Sequence, residues 1–335
     1  MKGKLILVTG ATGAVGPKVV SALLENGFSV RTFSNDQAEI GLFPEHVDER
    51  VGDITDSVAV GEAVKGVDAI VHLAAVLHIV NPPPELKSRY YEVNVGGTKI
   101  IVAEAIKQGV KQLVFASTIA VYGESKGVVL NEETPTQPDS LYGESKLKAE
   151  EIVLGAMKKN DEPLGTVLRF GAVYGPRIKG NYQRLVKALA KNRFLPVGKG
   201  DNCRSLVYVE DVARAVVLAL EQGKTGKTYN VTDGKFRTVA EINAAICEAL
   251  GKKPPCFYLP KSFVRLGVLF LELAFKLIRR EAPITRVHLD KYFGDVRVDA
   301  SKIQEELGFQ AKYDLKNGWQ ETINFMRSKD GFGLQ

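Results

Sequence analysis

The stretch Val8-Thr9-Gly10-Ala11-Thr12-Gly13-Ala14-Val15-Gly16 follows an apolar run, Leu5-Ile6-Leu7-Val8, and leads into a segment with helical spacing. A strand that turns on glycines into a helix is the opening of a βαβ unit, and this context gives the glycines meaning that a triplet alone lacks. The first permits a tight turn, the second lets backbone approach a pyrophosphate, and the third lets helix and strand pack closely. The first amides of the helix then face the anion. Gly10, Gly13 and Gly16, with Thr12 and Val15 between them, are therefore candidate dinucleotide contacts. Their spacing is G-x-x-G-x-x-G rather than the G-x-G-x-x-G of many dehydrogenases.

The rest of the first half continues the pattern. Short β-branched runs at Lys4–Val8, Ser29–Phe33, Asp68–Leu73, Gln112–Ala116 and Gly165–Phe170 alternate with helical stretches near 16–26, 57–65, 94–109 and 142–160. That alternation predicts a doubly wound parallel sheet, an α/β fold of the Rossmann type. With 335 residues the chain is long for one domain, and beyond about residue 180 the alternation loosens. The expected division is a cofactor-binding domain over 1–177, to which a segment near 205–232 returns. Residues 178–204 and 233–330 then form a smaller C-terminal substrate-binding domain.

Composition excludes several classes. Apolar residues make up 45% and charged residues 25%, as in ordinary soluble domains. The net charge of +6 comes from scattered basic pairs rather than a stripe, so nucleic acid is not an expected partner. Three cysteines (Cys203, Cys247, Cys256) without a C-x-x-C suggest neither disulfides nor a metal site, and a reducing, cytoplasmic compartment is the simplest reading. No segment has the apolar length of a membrane span. In 262–280 the charged residues Arg265, Glu272, Lys276 and Arg279 form one stripe on a helix that is otherwise apolar. Such a helix packs into the second domain or covers a substrate; the alternative is an interfacial helix at a membrane.

Further motifs follow in a telling order: Asp53-Ile54, Val71-His-Leu-Ala-Ala75, Asn94-Val-Gly-Gly-Thr98, Phe115-Ala-Ser-Thr118 and Tyr142-Gly-Glu-Ser-Lys146. With the glycine turn they resemble the extended short-chain dehydrogenase/reductases, specifically the NAD-dependent epimerase/dehydratase branch that acts on nucleotide sugars. The resemblance runs from Leu5 to about Phe325. It implies that Asp53 and Ile54 meet the adenine, that Leu73, Ala74 and Ala75 pass beneath the cofactor, and that Asn94 steadies the site. A carboxylate ending the second strand would select NAD. This chain has Ser34 at that place and Arg31 nearby, which admits NADP unless Arg31 is merely a solvated strand residue, so the expected cofactor is NAD or NADP.

Tyr142 and Lys146, four residues apart, share one helix face. A free tyrosine has a pKa near 10, so acting as a base at neutral pH requires about 4 kcal/mol of phenolate stabilisation. An adjacent ammonium supplies energy of that order. The resemblance makes Thr118 the hydroxyl that holds the substrate oxygen, Tyr142 the acid/base, and Lys146 the group that lowers the phenol and holds the nicotinamide ribose. Dehydratases of this family carry an acidic pair after the threonine. This chain has Ile119 and Ala120, which argues against 4,6-dehydration.

On the substrate side, Leu168–Arg177 resembles the segment where the chain turns from cofactor to substrate. Arg204, in Arg204-Ser-Leu-Val-Tyr-Val-Glu-Asp211, takes the place of the family's diphosphate-binding arginine. A second arginine is missing just before Gly294-Asp295, where only Lys291 and Arg297 are near. The leading expectation is a nucleotide-sugar epimerase or oxidoreductase with a small-molecule substrate. The Ala282–Arg286 stretch and the apolar helix before it also look like the 3β-hydroxysteroid dehydrogenase branch, whose substrates are apolar alcohols. A cofactor-binding module without catalysis is the third possibility. Related enzymes often pair through a helical bundle, so a homodimer is compatible with the resemblance.

Overall fold

The computed structural model describes residues 3–77, 84–125, 127–222, 224–277 and 285–328, with no side-chain description at 84–86, 277, 287, 288, 290 and 291. Its strands are β1 (Leu5–Thr9), β2 (Ser29–Ser34), β3 (Asp48–Val51), β4 (Ala69–His72), β5 (Gln112–Thr118), β6 (Val129–Leu130), β7 (Gly165–Phe170), β8 (Ala172–Tyr174), β9 (Cys203–Tyr208), β10 (Lys227–Val231), β11 (Phe236–Thr238) and β12 (Arg297–Val298). Seven form one sheet in the order β10-β7-β5-β4-β1-β2-β3. Every pairing in it is parallel. Helices cover both faces, so β4 and β7 are buried along their whole length, which explains why apolar residues such as Ile70, Val71, Val167 and Leu168 follow one another without polar alternation.

The strand order reverses beside β1: β2 lies on one side and β4 on the other. Connections leave these two neighbours toward opposite faces, opening a crevice at the carboxyl ends of the strands where ligands bind in such sheets. The glycine turn ends β1 at that crevice. Pro17 starts the following helix, Gly16–Glu25, where its missing amide costs nothing. Gly16 is required by contact: a Cβ there would stand 2.0 Å from the Ala11 carbonyl oxygen.

Five expected strands and the added strand over 227–232 are present with ends shifted by at most two residues; β3 is an additional edge strand. The helix expected over 94–109 is two elements, a π-helical stretch Tyr90–Gly97 and the α-helix Thr98–Gln108. The helix expected over 142–160 stops at Leu154, where the chain passes Gly155 and turns back. Of the stretch 205–232, β10 joins the main sheet beside β7, whereas β9 lies in a separate three-stranded sheet ordered β11-β9-β8. That small sheet packs with helices Asn181–Ala190, Val239–Leu250 and Leu315–Ser328 around Trp319, which is fully buried and stacked on Tyr174. The helix expected over 262–280 runs from Lys261 to Leu277; Arg279 and the 282–284 part of the later motif lie outside the described residues.

Candidate active site

A cavity of about 320 Å³ opens at the strand-order reversal, and its lining collects most of the residues singled out in the sequence. Gly10, Thr12, Gly13, Val15 and Gly16 form its floor, Ser34 one wall, Asp53 and Ile54 another, and Leu73, Ala74 and Ala75 the opposite side. Gly10 has φ +68°, and a Cβ there would come within 2.7 Å of the Ala74 backbone. The turn therefore presses against the chain leaving β4, keeping backbone rather than side chain toward the cavity. Asp53 Oδ1 accepts from the Thr55 amide at 2.9 Å and from Thr55 Oγ1 at 2.8 Å. Those bonds hold its carboxyl below its ordinary range. A pyrophosphate on the glycine turn with adenosine along Ser34, Asp53 and Ile54 fits this cradle.

Arg31 is not part of it. Its guanidinium points to the other side of β2, where Nε pairs with Asp48 at 2.6 Å and Nη1 donates to the carbonyls of Ala63 and Lys65 at 2.9 and 2.7 Å. Alternation along the strand sends Arg31 and Ser34 to opposite faces. Ser34 Oγ accepts from the Thr12 amide at 3.3 Å, joining the second strand to the glycine turn. Just beyond, Asp36 lines the cavity, a carboxylate where the sequence suggested none. Its charge opposes a 2′-phosphate, so the cavity suits NAD better than NADP.

Behind the cavity a chain of buried hydrogen bonds fixes the loop after β4. The Ala74 amide donates to Thr9 Oγ1, at 3.2 Å. Thr9 Oγ1 lies 2.7 Å from His72 Nδ1, His72 Nε2 lies 3.0 Å from Thr98 Oγ1, and Thr98 Oγ1 donates to the Asn94 carbonyl at 2.6 Å. Because Thr98 spends its proton on Asn94, it accepts from His72, which fixes the neutral Nε2–H tautomer. Burial, helped by the charge of Lys146, lowers the His72 pKa to about 3. Asn94 is buried rather than cavity-lining. Its side chain accepts from the Val76 amide at 2.8 Å and donates to Ser145 Oγ at 2.9 Å. It clamps the cofactor loop to the helix Leu141–Leu154, and the π-helical turn aims it there.

That helix carries Tyr142 and Lys146. Ser140 caps it through the Gly143 amide, and Gly143 sits where a Cβ would be 2.7 Å from the Ala120 carbonyl oxygen. Glycine thus lets the helix start lie against the turn that follows Thr118. Thr118 ends β5, and its Oγ1 accepts from the Ala120 amide at 3.2 Å, which leaves the hydroxyl proton to donate. Ile119 is buried in an apolar cluster with Val121 and Tyr122.

The electrostatics differ from the sequence expectation. Burial, followed by the neighbouring phenol of Tyr90, pushes Tyr142 up to about 12. Burial pushes Lys146 down to about 7, against a smaller opposing pull from Glu150. Lys146 is not among the groups that shift the phenol, and its ammonium lies over the Phe115 ring, 4.0 Å from the centroid.

Sequence reasoning missed what lies beneath. Glu150, one turn after Lys146, receives a forked contact from Arg169 of β7, with Nη2 to Oε2 at 2.7 Å and Nε 3.1 Å from each oxygen. Ser117 also donates to Glu150, and Arg169 donates to Tyr122 Oη at 2.9 Å. Tyr122 in turn donates to Asn230 of β10, at 2.8 Å. A signal was present: Arg169 is the one charge in a strand whose other positions are apolar or small. Arg204 stands apart from this group. Its guanidinium donates to the carbonyls of Cys203, Gly294 and Tyr292, fastening β9 to the turn that carries Gly294-Asp295. Arg297 pairs with Asp295 at 3.1 Å on the same turn; the Lys291 side chain is outside the described residues.

Comparison with known proteins agrees with the geometry. The chain is 30% identical to the Escherichia coli O157:H7 N-acetyl-alpha-D-glucosaminyl-diphospho-ditrans,octacis-undecaprenol 4-epimerase, over 96% of this chain and 94% of that protein. It is 31% identical to the Vibrio cholerae UDP-glucose 4-epimerase, over 95% and 94%. Among solved structures, MoeE5 in complex with UDP-glucose and NAD superposes with a TM-score of 0.77 at 27% identity, covering 98% of this chain and all of that one. The sequence profile of the NAD dependent epimerase/dehydratase family matches residues 6–232, and the chain belongs to that family.

Proposed function

We propose that this protein is an NAD-dependent epimerase that inverts a carbinol centre of a sugar carried on a diphosphate. The observation that carries the reading is the Asn94 clamp, which ties the loop lining the nucleotide cavity to the helix bearing Tyr142 and Lys146. Thr118 donates to the substrate oxygen, and Tyr142 Oη exchanges its proton with that oxygen as hydride leaves the same carbon and returns to its other face. When bound, the oxidised nicotinamide supplies the hydride acceptor and a positive charge beside the phenol. That charge favours phenolate where burial alone disfavours it. Lys146 holds the ribose hydroxyls. Ile119 and Ala120 offer no acid or base for eliminating water, which supports epimerisation over dehydration. Both curated relatives are named for 4-epimerisation of a sugar on a diphosphate, one with a nucleoside and one with a polyprenol as carrier.

The test incubates the protein and NAD with UDP-glucose, UDP-N-acetylglucosamine and a polyprenyl-diphosphate N-acetylglucosamine, each deuterated at C4. The expected result is isomerisation of one of them with the label kept on C4 and no net NADH, slowed about 10²–10⁴-fold by Tyr142→Phe. Stoichiometric NADH with no isomer would identify a net dehydrogenase instead.

A further inference from the structure

The helix Lys261–Leu277 has an apolar strip that the other described residues leave exposed. Phe263 is 71% exposed, Leu266 51%, Phe270 62% and Leu273 49%, and their spacing of three, four and three residues places them along one side. Val268, on another side, is buried, so the helix is seated on the protein by a different face. Arg265 and Lys276 are exposed away from the apolar strip, and Glu272, which shares their stripe, pairs with Arg286 at 2.9 Å. The approach to the helix belongs to the same surface. Leu259 and Pro196 share a backbone bond, and both Leu195 and Phe257 are exposed beside it.

Charge selects the occupant. From Lys252 to Arg280 the sequence holds seven basic residues against one acidic residue, Glu272, a net +6. The whole chain is also +6, so the residues outside this stretch sum to zero, although 177–199 carries seven basic residues and no acidic one. An exposed apolar strip within a stretch of net +6 is the pattern of an interfacial helix on anionic lipid. A second copy meeting this face would bring two stretches of +6 together, which disfavours self-association. No helix among the described residues is long and apolar enough to cross a membrane, so the contact is with a surface.

We infer that the Lys261–Leu277 helix docks the protein on an anionic membrane surface, with Phe263, Leu266, Phe270 and Leu273 entering the headgroup region. The inference stands apart from the reaction proposed above. It is tested by flotation of the full chain with vesicles of phosphatidylcholine alone and of phosphatidylcholine with phosphatidylglycerol, with light scattering of the free protein alongside. The expected result is about ten-fold more protein floating with the anionic vesicles than with the neutral ones. Phe263→Ser with Phe270→Ser should remove at least nine-tenths of that binding and leave the melting temperature in place. Flotation that survives the double substitution, or no flotation of the unsubstituted chain, overturns the inference. A dimer that the double substitution breaks, without vesicle binding, overturns it in favour of a second copy.

Discussion

At the scale of single residues, burial around the site pushes His72 and Lys146 toward their uncharged forms. His72 is the plainest case: it is fully buried, bonded on both nitrogens to hydroxyls, and stays neutral down to about pH 3. In the unfolded chain its imidazole takes a proton near pH 6.5. Between these values the unfolded state binds more protons than the folded one, so stability falls as pH falls through this window. The loss from this one group is about 2–3 kcal/mol between pH 6.5 and 4.5. His72→Gln keeps a hydrogen-bonding side chain that does not titrate. Urea unfolding at pH 6.5 and 4.5 should show a smaller acid-induced loss in the variant by about that amount; equal losses would show that His72 is not the acid-sensitive group. Lys146 follows the same sign in a higher window. Its lowered pKa means that burying it costs stability in full below about pH 7, a cost that fades as pH rises toward its unfolded value.

At the scale of elements, the helix that carries Tyr142 and Lys146 is fastened on either side of Lys146. Asn94 holds it to the cofactor loop through Ser145, and Glu150 holds it to β7 through Arg169. Glu150 and Arg169 are both buried, and removing one partner leaves a charge without its counter-ion. Glu150→Gln should cost about 3–5 kcal/mol in urea unfolding, and adding Arg169→Met should recover at least half of it. A cost below about 1 kcal/mol would mean that the pair does not fasten the helix. This pairing also shows where sequence reading stops. The strands of the sheet and the cavity lining were legible because apolar runs, a glycine turn and a tyrosine–lysine spacing of four are local patterns. Glu150 and Arg169 meet only after β7 is laid beside β5, and nothing within either segment names the partner. Arg31 was misplaced for a related reason: its nearness to Ser34 in sequence hid the alternation that turns it toward Asp48. The end of the π-helical turn, residues 94–97, was read as the start of a plain α-helix because the apolar spacing of the two is similar over so few residues.

At the scale of the whole molecule, the cofactor side and the small-sheet side share a core. One apolar cluster contains Ile6 and Val8 of β1, Leu168 and Phe170 of β7, Val207 of β9 in the small sheet, Val216 and Leu220 of the helix that follows it, Tyr229 of β10, and Ile303, Leu307 and Phe309 near the end of the chain. A cut after residue 177 would strip β7 of β10 and uncover one face of the sheet. The first 177 residues alone should therefore fail to form a stable nucleotide-binding unit, although their motifs are complete. The same packing predicts a single unfolding transition for the full chain. Trp319 is the chain's one tryptophan and lies in the cluster around the small sheet, so its fluorescence reports that part, while far-UV circular dichroism reports the molecule as a whole. The two urea transitions should coincide, and saturating NAD should move both by the same increment, since a ligand of the folded state stabilises whatever unfolds with its site. A Trp319 transition at lower urea that NAD leaves in place would mean that the small-sheet side unfolds on its own and that the shared core does not couple the two.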